Sequence, residues 1–339
     1  MTSANPPSLW RNVRRWLPGV IISLVALFFV FQAVSFQDLG KALASIPAAN
    51  LVIAIIISIA SMVIRAGAWK ILLGNKPSLI QCFFTINMGY LLNNLFPLKA
   101  GEIGRAVFMG KAIKVSPFHV LSTIVIERAF DLIFAATLFL STLPLALGAE
   151  WARPAGIATL ILMVGLVAVL YLMARFEDKV HALALRLGGR WKLFNRYVLP
   201  QVDSMLDGLS ALTNPRQFFF SVLLIAATWV TWVCIYYVMI IAVKAGAPIW
   251  WGMFADSLLA LGVAIPSAPA GLGVYEAAMV LALTILGISQ PIALAVAIIL
   301  HFMQFGITGI FGFWGILRER QSLSSIFSNI RIQQTKPTE

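Results

Sequence analysis

The sequence predicts an all-α polytopic membrane protein: about six full transmembrane helices plus two broken or re-entrant helical hairpins related as an inverted repeat. Three observations carry this reading. The composition is 60% hydrophobic and 11% charged, with a mean hydropathy of +0.91, whereas a soluble domain is about a quarter charged. Six apolar runs are long enough to cross about 30 Å of hydrocarbon, which takes roughly 20 helical residues. Basic residues gather in short loops between alternate runs. The ten-residue alternating segments of a closed barrel are absent from the sequence, so the crossings are helical.

The first run, Trp16 to Ser35, follows Arg11, Arg14 and Arg15. Its 18-residue stretch from Leu17 to Val34 is longer than a cleaved signal core of about 7–15 residues, so a signal anchor is expected. The second run is Leu51 to Leu73. Leu79 to Pro97 is apolar, but the arm that follows, Ala100 to Lys114, contains Glu102, Arg105, Lys111 and Lys114. That pattern suits a re-entrant hairpin or a helix pair facing a wet cavity. The third run, Pro117 to Leu143, carries Glu127, Arg128 and Asp131, and the fourth is Pro154 to Ala174. Between Arg175 and Arg216, apolar residues recur at Val180, Leu183, Ala184 and Leu187, and then at Val198, Val202, Met205, Leu206 and Leu209. Those helical spacings predict two amphipathic surface helices that dock and adhere to lipid. The fifth run is Gln217 to Val243. Gly252 to Ile288 is then interrupted by Pro266, Pro269, Gly271 and Gly273, and Pro291 to Leu317 is the sixth run.

If the first run leaves the cytoplasm, 20 of the 25 Lys and Arg residues lie on the cytoplasmic side and only Lys41, Arg153 and Lys244 lie outside, with Arg65 and Arg128 inside spans. This split predicts a multi-pass protein of the inner or plasma membrane with both termini cytoplasmic. Residues 1–15 form an N-terminal cytoplasmic segment, 16–317 one transmembrane domain with a cytoplasmic insert at 175–216, and 318–339 a cytoplasmic tail. The net charge of +12 is explained by orientation and anionic lipid, and no nucleic-acid partner is expected. Cys82 and Cys234 lie in apolar runs and read as small buried hydrophobes.

The two interrupted regions align. Leu95-Phe96-Pro97-Leu98-Lys99-Ala100-Gly101-Glu102-Ile103-Gly104-Arg105 and Ala264-Ile265-Pro266-Ser267-Ala268-Pro269-Ala270-Gly271-Leu272-Gly273 both run apolar, Pro, a short link, Ala-Gly and Gly. Three crossings separate them, so they enter from opposite faces. Paired broken segments of inverted orientation point to a transport site near the midplane. The plainer alternative is two helices kinked by Pro and Gly. Glu102, Arg105 and Glu276 at the breaks favour the site.

Glu127 and Asp131 share a helix face at i and i+4, and Arg128 reaches Asp131 at i+3. An isolated charge at mid-bilayer costs about 2.5–3.5 kcal/mol, so partners are expected. The cluster reads either as an internal ion pair or as a polar cavity wall that presents Arg128 to an anionic headgroup, and the second reading is preferred. Arg65 either joins the cavity or snorkels towards Trp69 and Lys70. Asp256 and His301 are weaker candidates, His301 reading as a hydrogen-bonded packing residue. Gly104 to Lys111 has the wrong spacing for a phosphate loop and ends in Ala112; Gly271-Leu272-Gly273 lacks a third glycine. His119, His181 and His301 have no partners at metal-binding spacing. No catalytic residue, metal or cofactor is expected.

Asn93-Asn94-Leu95-Phe96-Pro97-Leu98-Lys99-Ala100-Gly101-Glu102-Ile103-Gly104-Arg105, Glu127-Arg128-Ala129-Phe130-Asp131 and Pro269-Ala270-Gly271-Leu272-Gly273-Val274-Tyr275-Glu276 occur in an order that resembles the lysylphosphatidylglycerol synthase transmembrane-region family. That family is also called flippase-like or UPF0104, and the resemblance covers roughly residues 15 to 318. It implies a membrane region that moves aminoacylated phospholipid between leaflets, while a separate cytoplasmic domain makes that lipid. The chain ends about 20 residues after its last span, so synthase activity is not carried over. The expectation is a flippase or scramblase, not an enzyme, acting on an anionic or aminoacylated phospholipid or a polyprenyl-phosphate-linked lipid. Its expected substrate-binding residues are Asn93, Asn94, Pro97, Gly101, Glu102, Gly104, Arg105, Glu127, Arg128, Asp131, Pro269, Gly271, Gly273 and Glu276. Two alternatives stay open: a membrane-embedded transferase acting on polyprenyl-phosphate sugars, and a non-catalytic subunit that docks a separate lipid-modifying enzyme.

Overall fold

The computed structural model describes residues 20–318, except 29, 31, 33, 97–99, 150–151, 189–190, 192 and 266. Pro97, Lys99, Pro266 and the N-terminal arginines therefore lie outside the described residues. Among those described, every regular element is helical. The chain is an all-α polytopic membrane protein.

Helical residues 20–28 form α1. They are followed by α2 (Phe36–Ser45), α3 (Ala48–Leu72), α4 (Leu79–Leu95), α5 (Ala100–Ile113), α6 (Pro117–Leu147) and α7 (Ala152–Arg175). Then come α8 (Glu177–Gly188), α9 (Leu199–Leu209), α10 (Pro215–Val243), α11 (Trp250–Gly262), α12 (Val274–Ile285) and α13 (Gln290–Arg318). Local chemistry starts and stops them. The Ser78 hydroxyl accepts from Gln81 N at 3.2 Å while the Gln81 side chain accepts from Ser78 N at 2.9 Å, which closes a capping box at α4. Asn214 caps α10 ahead of Pro215, and α6 ends on Gly148 in the left-handed region, at φ 64°.

Among the described residues, five helices are long and apolar enough to cross a membrane: α3, α6, α7 from Pro154, α10 and α13. They coincide with the second to sixth runs of the sequence reading; the first run is described only in part. On α7, Ile157, Ile161 and Leu162 are exposed, so its apolar surface is turned outwards to the bilayer.

The helix lengths repeat. A long helix, two short ones and a long one (25, 17, 14 and 31 residues in α3 to α6) recur as 29, 13, 12 and 29 residues in α10 to α13. The packing repeats with them. Helices α3 and α10 lie along each other, α4 packs on α13 as α11 packs on α6, and α5 packs on α6 as α12 packs on α13. Exchanging the halves reproduces the contact pattern, as a pseudo-two-fold relation requires. One crossing helix, α7, separates the repeats and gives them opposite senses through the membrane. Two apolar cores form. One is drawn mainly from the first half, around Trp69, Ile86, Met109 and Ile124, but includes Trp229 of α10. The other is drawn mainly from the second half, around Met239, Phe254, Leu283 and Val296, but includes Ala54 of α3.

The insert forms two helices, as the spacing predicts, but they differ. Helix α9 packs on α6 and buries Leu206 and Leu209. Leu183 and Leu187 of α8 remain exposed. The apolar face of α9 thus belongs to the protein core and not to a lipid surface.

Candidate functional site

Helix geometry sets the site. Glu127 closes the third turn of α6, Asp131 stands one turn further on the same face, and Arg128 is rotated about 100° from Glu127. Glu127 is therefore directed into the bundle, where two arginines from other helices meet it. Arg65 of α3 pairs with Glu127 through Nη2 and donates from Nε at 3.0 Å. Its Nη1 and Nη2 also donate to Asp131, at 2.9 and 2.6 Å. Arg105 of α5 donates from Nη1 and Nη2 to Glu127, at 3.3 and 3.1 Å. Both guanidinium groups lie over indoles: Arg105 is 4.2 Å from the Trp69 ring centroid and Arg65 is 5.1 Å from that of Trp232. Trp229 Nε1 donates to Asp131 at 3.1 Å.

Arg128 occupies the outer edge of this network. It pairs through Nε with Glu102 at 2.8 Å and through Nη1 with Asp131 at 3.2 Å, yet its side chain is 38% exposed. Glu127, by contrast, is 1% exposed. Three arginines and three carboxylates balance. The network is neutral, and the one arginine with free surface faces a cavity.

That cavity encloses about 400 Å³ between the halves of the repeat, within the range of ligand sites. Arg65, Arg128 and Asp131 line one part of it, Asn94 comes from the first broken hairpin, and Ala270, Tyr275 and His301 come from the second hairpin and α13. Asp256 also lines it; it is 3% exposed, and its Oδ2 has no hydrogen-bond partner among the described residues.

Residues 16–312 match the sequence profile of the lysylphosphatidylglycerol synthase TM region. The chain belongs to that family. It is similar to two UPF0104 membrane proteins of Methanocaldococcus jannaschii. One is 26% identical over 228 residues, covering 65% of this chain and 91% of that protein. The other is 26% identical over 121 residues, 33% of this chain and 36% of that protein. No solved structure matches the chain.

In this member of the lysylphosphatidylglycerol synthase TM-region family, the residues marked out by sequence fall into three groups. Asn94, Arg128 and Asp131 line the cavity, and Glu102 holds Arg128 from beside it. A second group is internal structure. Arg105 and Glu127 are sealed; Asn93 Oδ1 accepts from Gly101 N at 2.8 Å, tying the two arms of the first hairpin. Gly101 lets α5 cross α4 closely, since a Cβ there would lie 1.8 Å from the Gly89 carbonyl oxygen. Gly104 packs on Leu92. The contacts of these five are with the protein itself.

The third group shapes the second hairpin. Pro269 and Gly271 bound a single helical turn. Glu276 accepts from Gly273 N at 2.7 Å and meets His301 Nδ1 at 2.6 Å. Pro97 is outside the described residues. Arg65 does not snorkel: it is 2% exposed and at the centre of the ion network. His301, read from sequence as a packing residue, is hydrogen-bonded and also lines the cavity. Trp229 and Trp232, one turn apart on α10, had no sequence signal beyond their aromatic character.

Proposed function

We propose that this protein moves a phosphate-bearing lipid between leaflets: an anionic or aminoacylated phospholipid, or a polyprenyl-phosphate-linked lipid. The observation that carries this reading is the position of Arg128. It is ion-paired but partly exposed, on the wall of a cavity between two broken hairpins. Broken helices of opposite sense are where membrane transporters place their binding sites. An arginine fork matches the planar oxygens of a phosphate.

Binding exchanges partners instead of creating a bare charge. As headgroup phosphate approaches Arg128, Glu102 is released, and its 25% exposure lets water solvate it. Asp131 keeps Arg65 and Trp229 as partners. The headgroup crosses inside the protein while its tails remain in the bilayer. Direction comes from gradients, membrane potential or removal of lipid on one side.

The test is reconstitution into liposomes with tail-labelled phosphatidylglycerol, its lysyl form or a polyprenyl phosphate. A membrane-impermeant reductant then reads the label on the outer leaflet. Protein-dependent loss of the inner-leaflet signal for at least one lipid is expected. Exchange at the protein-free rate for all three would overturn the proposal.

A further inference from the structure

The chain from Ser267 to Gly273 makes an unusual turn, since Ala270, Gly271 and Gly273 all have positive φ, at 61°, 75° and 83°. Left-handed backbone at a residue with a Cβ is unfavourable and persists only where surroundings hold it. Three contacts hold this loop. Ala268 N donates to Ser23 Oγ of α1 at 2.9 Å. Gly273 N donates to Glu276 Oε2 at 2.7 Å. The carbonyl oxygen of Ala270 lies 3.0 Å from His301 Nε2 on α13.

The third contact fixes a proton count. A carbonyl oxygen only accepts, so Nε2 carries a hydrogen. Across the ring, His301 Nδ1 lies 2.6 Å from Glu276 Oε1, and a lone pair cannot face a carboxylate lone pair at that distance. A proton therefore sits between them, on the imidazole or on the carboxyl. Either way, the Glu276–His301 pair holds one proton more than a carboxylate beside a neutral imidazole. The stacked ring of Tyr275, 4.1 Å away between centroids, restricts imidazole rotation.

We propose that Glu276 and His301 form a proton-binding site whose occupancy latches the second hairpin against α13. When the proton leaves, the neutral imidazole has one hydrogen for two acceptors. With the hydrogen on Nε2, the ring is repelled by Glu276. With it on Nδ1, the Ala270 carbonyl loses its donor. Either result loosens the loop. Ala270 and His301 both line the cavity, so the latch changes a wall of the proposed lipid site. The proposal rests on that reading for its purpose but not for its test.

Other ionisable groups near the pair belong to the same cavity: Tyr275 of α12, Asp256 of α11, Tyr236 of α10, Tyr90 of α4, Arg65 of α3, and Arg128 and Asp131 of α6. Asp38 and Lys41 of α2, which packs on α13, are exposed. The described residues 20–28 of α1 contain no ionisable side chain.

The experiment is hydrogen–deuterium exchange of peptides covering residues 264–273 in the intact protein, at about pH 5 and about pH 9, which bracket ordinary imidazole titration. Rates are corrected for intrinsic chemical exchange. Loop protection should fall at least tenfold from acid to alkali in the wild type, while α3 stays protected. In His301→Gln and Glu276→Gln, neither of which can complete the proton-sharing pair, the pH response should disappear. Wild-type loop protection equal at both pH values would overturn the proposal even if neither variant folds. So would a wild-type pH response retained by a folded variant. Because the readout needs no lipid movement, absent lipid exchange with an intact loop response leaves the latch standing and removes only the transport reading.

Discussion

Arg65 and Glu127, 62 residues apart in sequence, share a buried ion pair in which Arg65 Nε donates to Glu127 Oε1 at 3.0 Å. Glu127 also accepts both terminal nitrogens of Arg105, so one carboxylate joins α3, α5 and α6. Removing one member of a buried pair leaves an uncompensated charge and costs about 3–5 kcal/mol. Glu127→Gln should therefore lower both membrane abundance and thermal stability by an amount of that order. A melting temperature within a degree of wild type would show that the carboxylate is not the clamp described.

Arg128 should behave differently, because its partners do not depend on it. Asp131 keeps Arg65 and Trp229, and Glu102 is exposed enough to hydrate. Arg128→Gln should retain near-normal abundance, with a stability loss below about 1 kcal/mol as for partly exposed pairs. Lipid exchange should fall roughly tenfold or more, the loss of one charge-assisted hydrogen bond of about 1.5–3 kcal/mol. Arg128→Lys keeps the charge without the fork and should recover exchange only in part. Wild-type exchange by a well-folded Arg128→Gln protein would sink the headgroup role.

Two glycine substitutions separate close packing from open surface. A Cβ at Gly101 would lie 1.8 Å from the Gly89 carbonyl oxygen, whereas one at Gly165 meets nothing within 4 Å. Gly101→Ala must part α4 from α5 and should cost about 1–3 kcal/mol or more, read as lost thermal stability in detergent. Gly165→Ala should be indistinguishable from wild type or slightly more stable. The reverse order would contradict the hairpin packing.

Orientation is open to labelling. With Cys82 and Cys234 replaced, cysteines at Ser3, Leu187 and Thr338 should react from the cytoplasmic side, and one at Gly148 from the outside. Leu187 is preferred to its neighbour because it is 78% exposed, while a side chain at Gly188 would strike the Phe194 ring. External labelling at Leu187 would reverse the charge-based scheme.

Hydropathy and charge made the membrane class, the second to sixth long helices and the paired breaks legible, because each depends on residues close in sequence. The partition of the charged residues was not legible in the same way. Helical spacing groups Glu127 with Asp131 but cannot show that Arg65 and Arg105 arrive from two other helices to seal Glu127. Nor can it show that Arg128, beside Glu127 in sequence, keeps free surface. His301 reads from sequence as a lone packing histidine, since its partner Glu276 lies 25 residues away, beyond helical spacing. Gly101 and Gly104 read as site residues because close backbone approach looks the same in sequence whether the neighbour is a ligand or another helix.

The exchange of partners between the halves bears on how the molecule is made. Helix α4 finds its packing surface on α13, and Asn94 donates to Thr308 across 214 residues. Helix α11 reaches back to α6. During synthesis the first four-helix unit therefore enters the bilayer with its hairpin uncovered, and it stays so until the last long helix leaves the ribosome. Long-range contacts are slow to form, so this packing surface is among the last to be covered. A fragment ending before α13 lacks the surface on which its α4 packs, and supplying the second half as a separate chain should restore that surface.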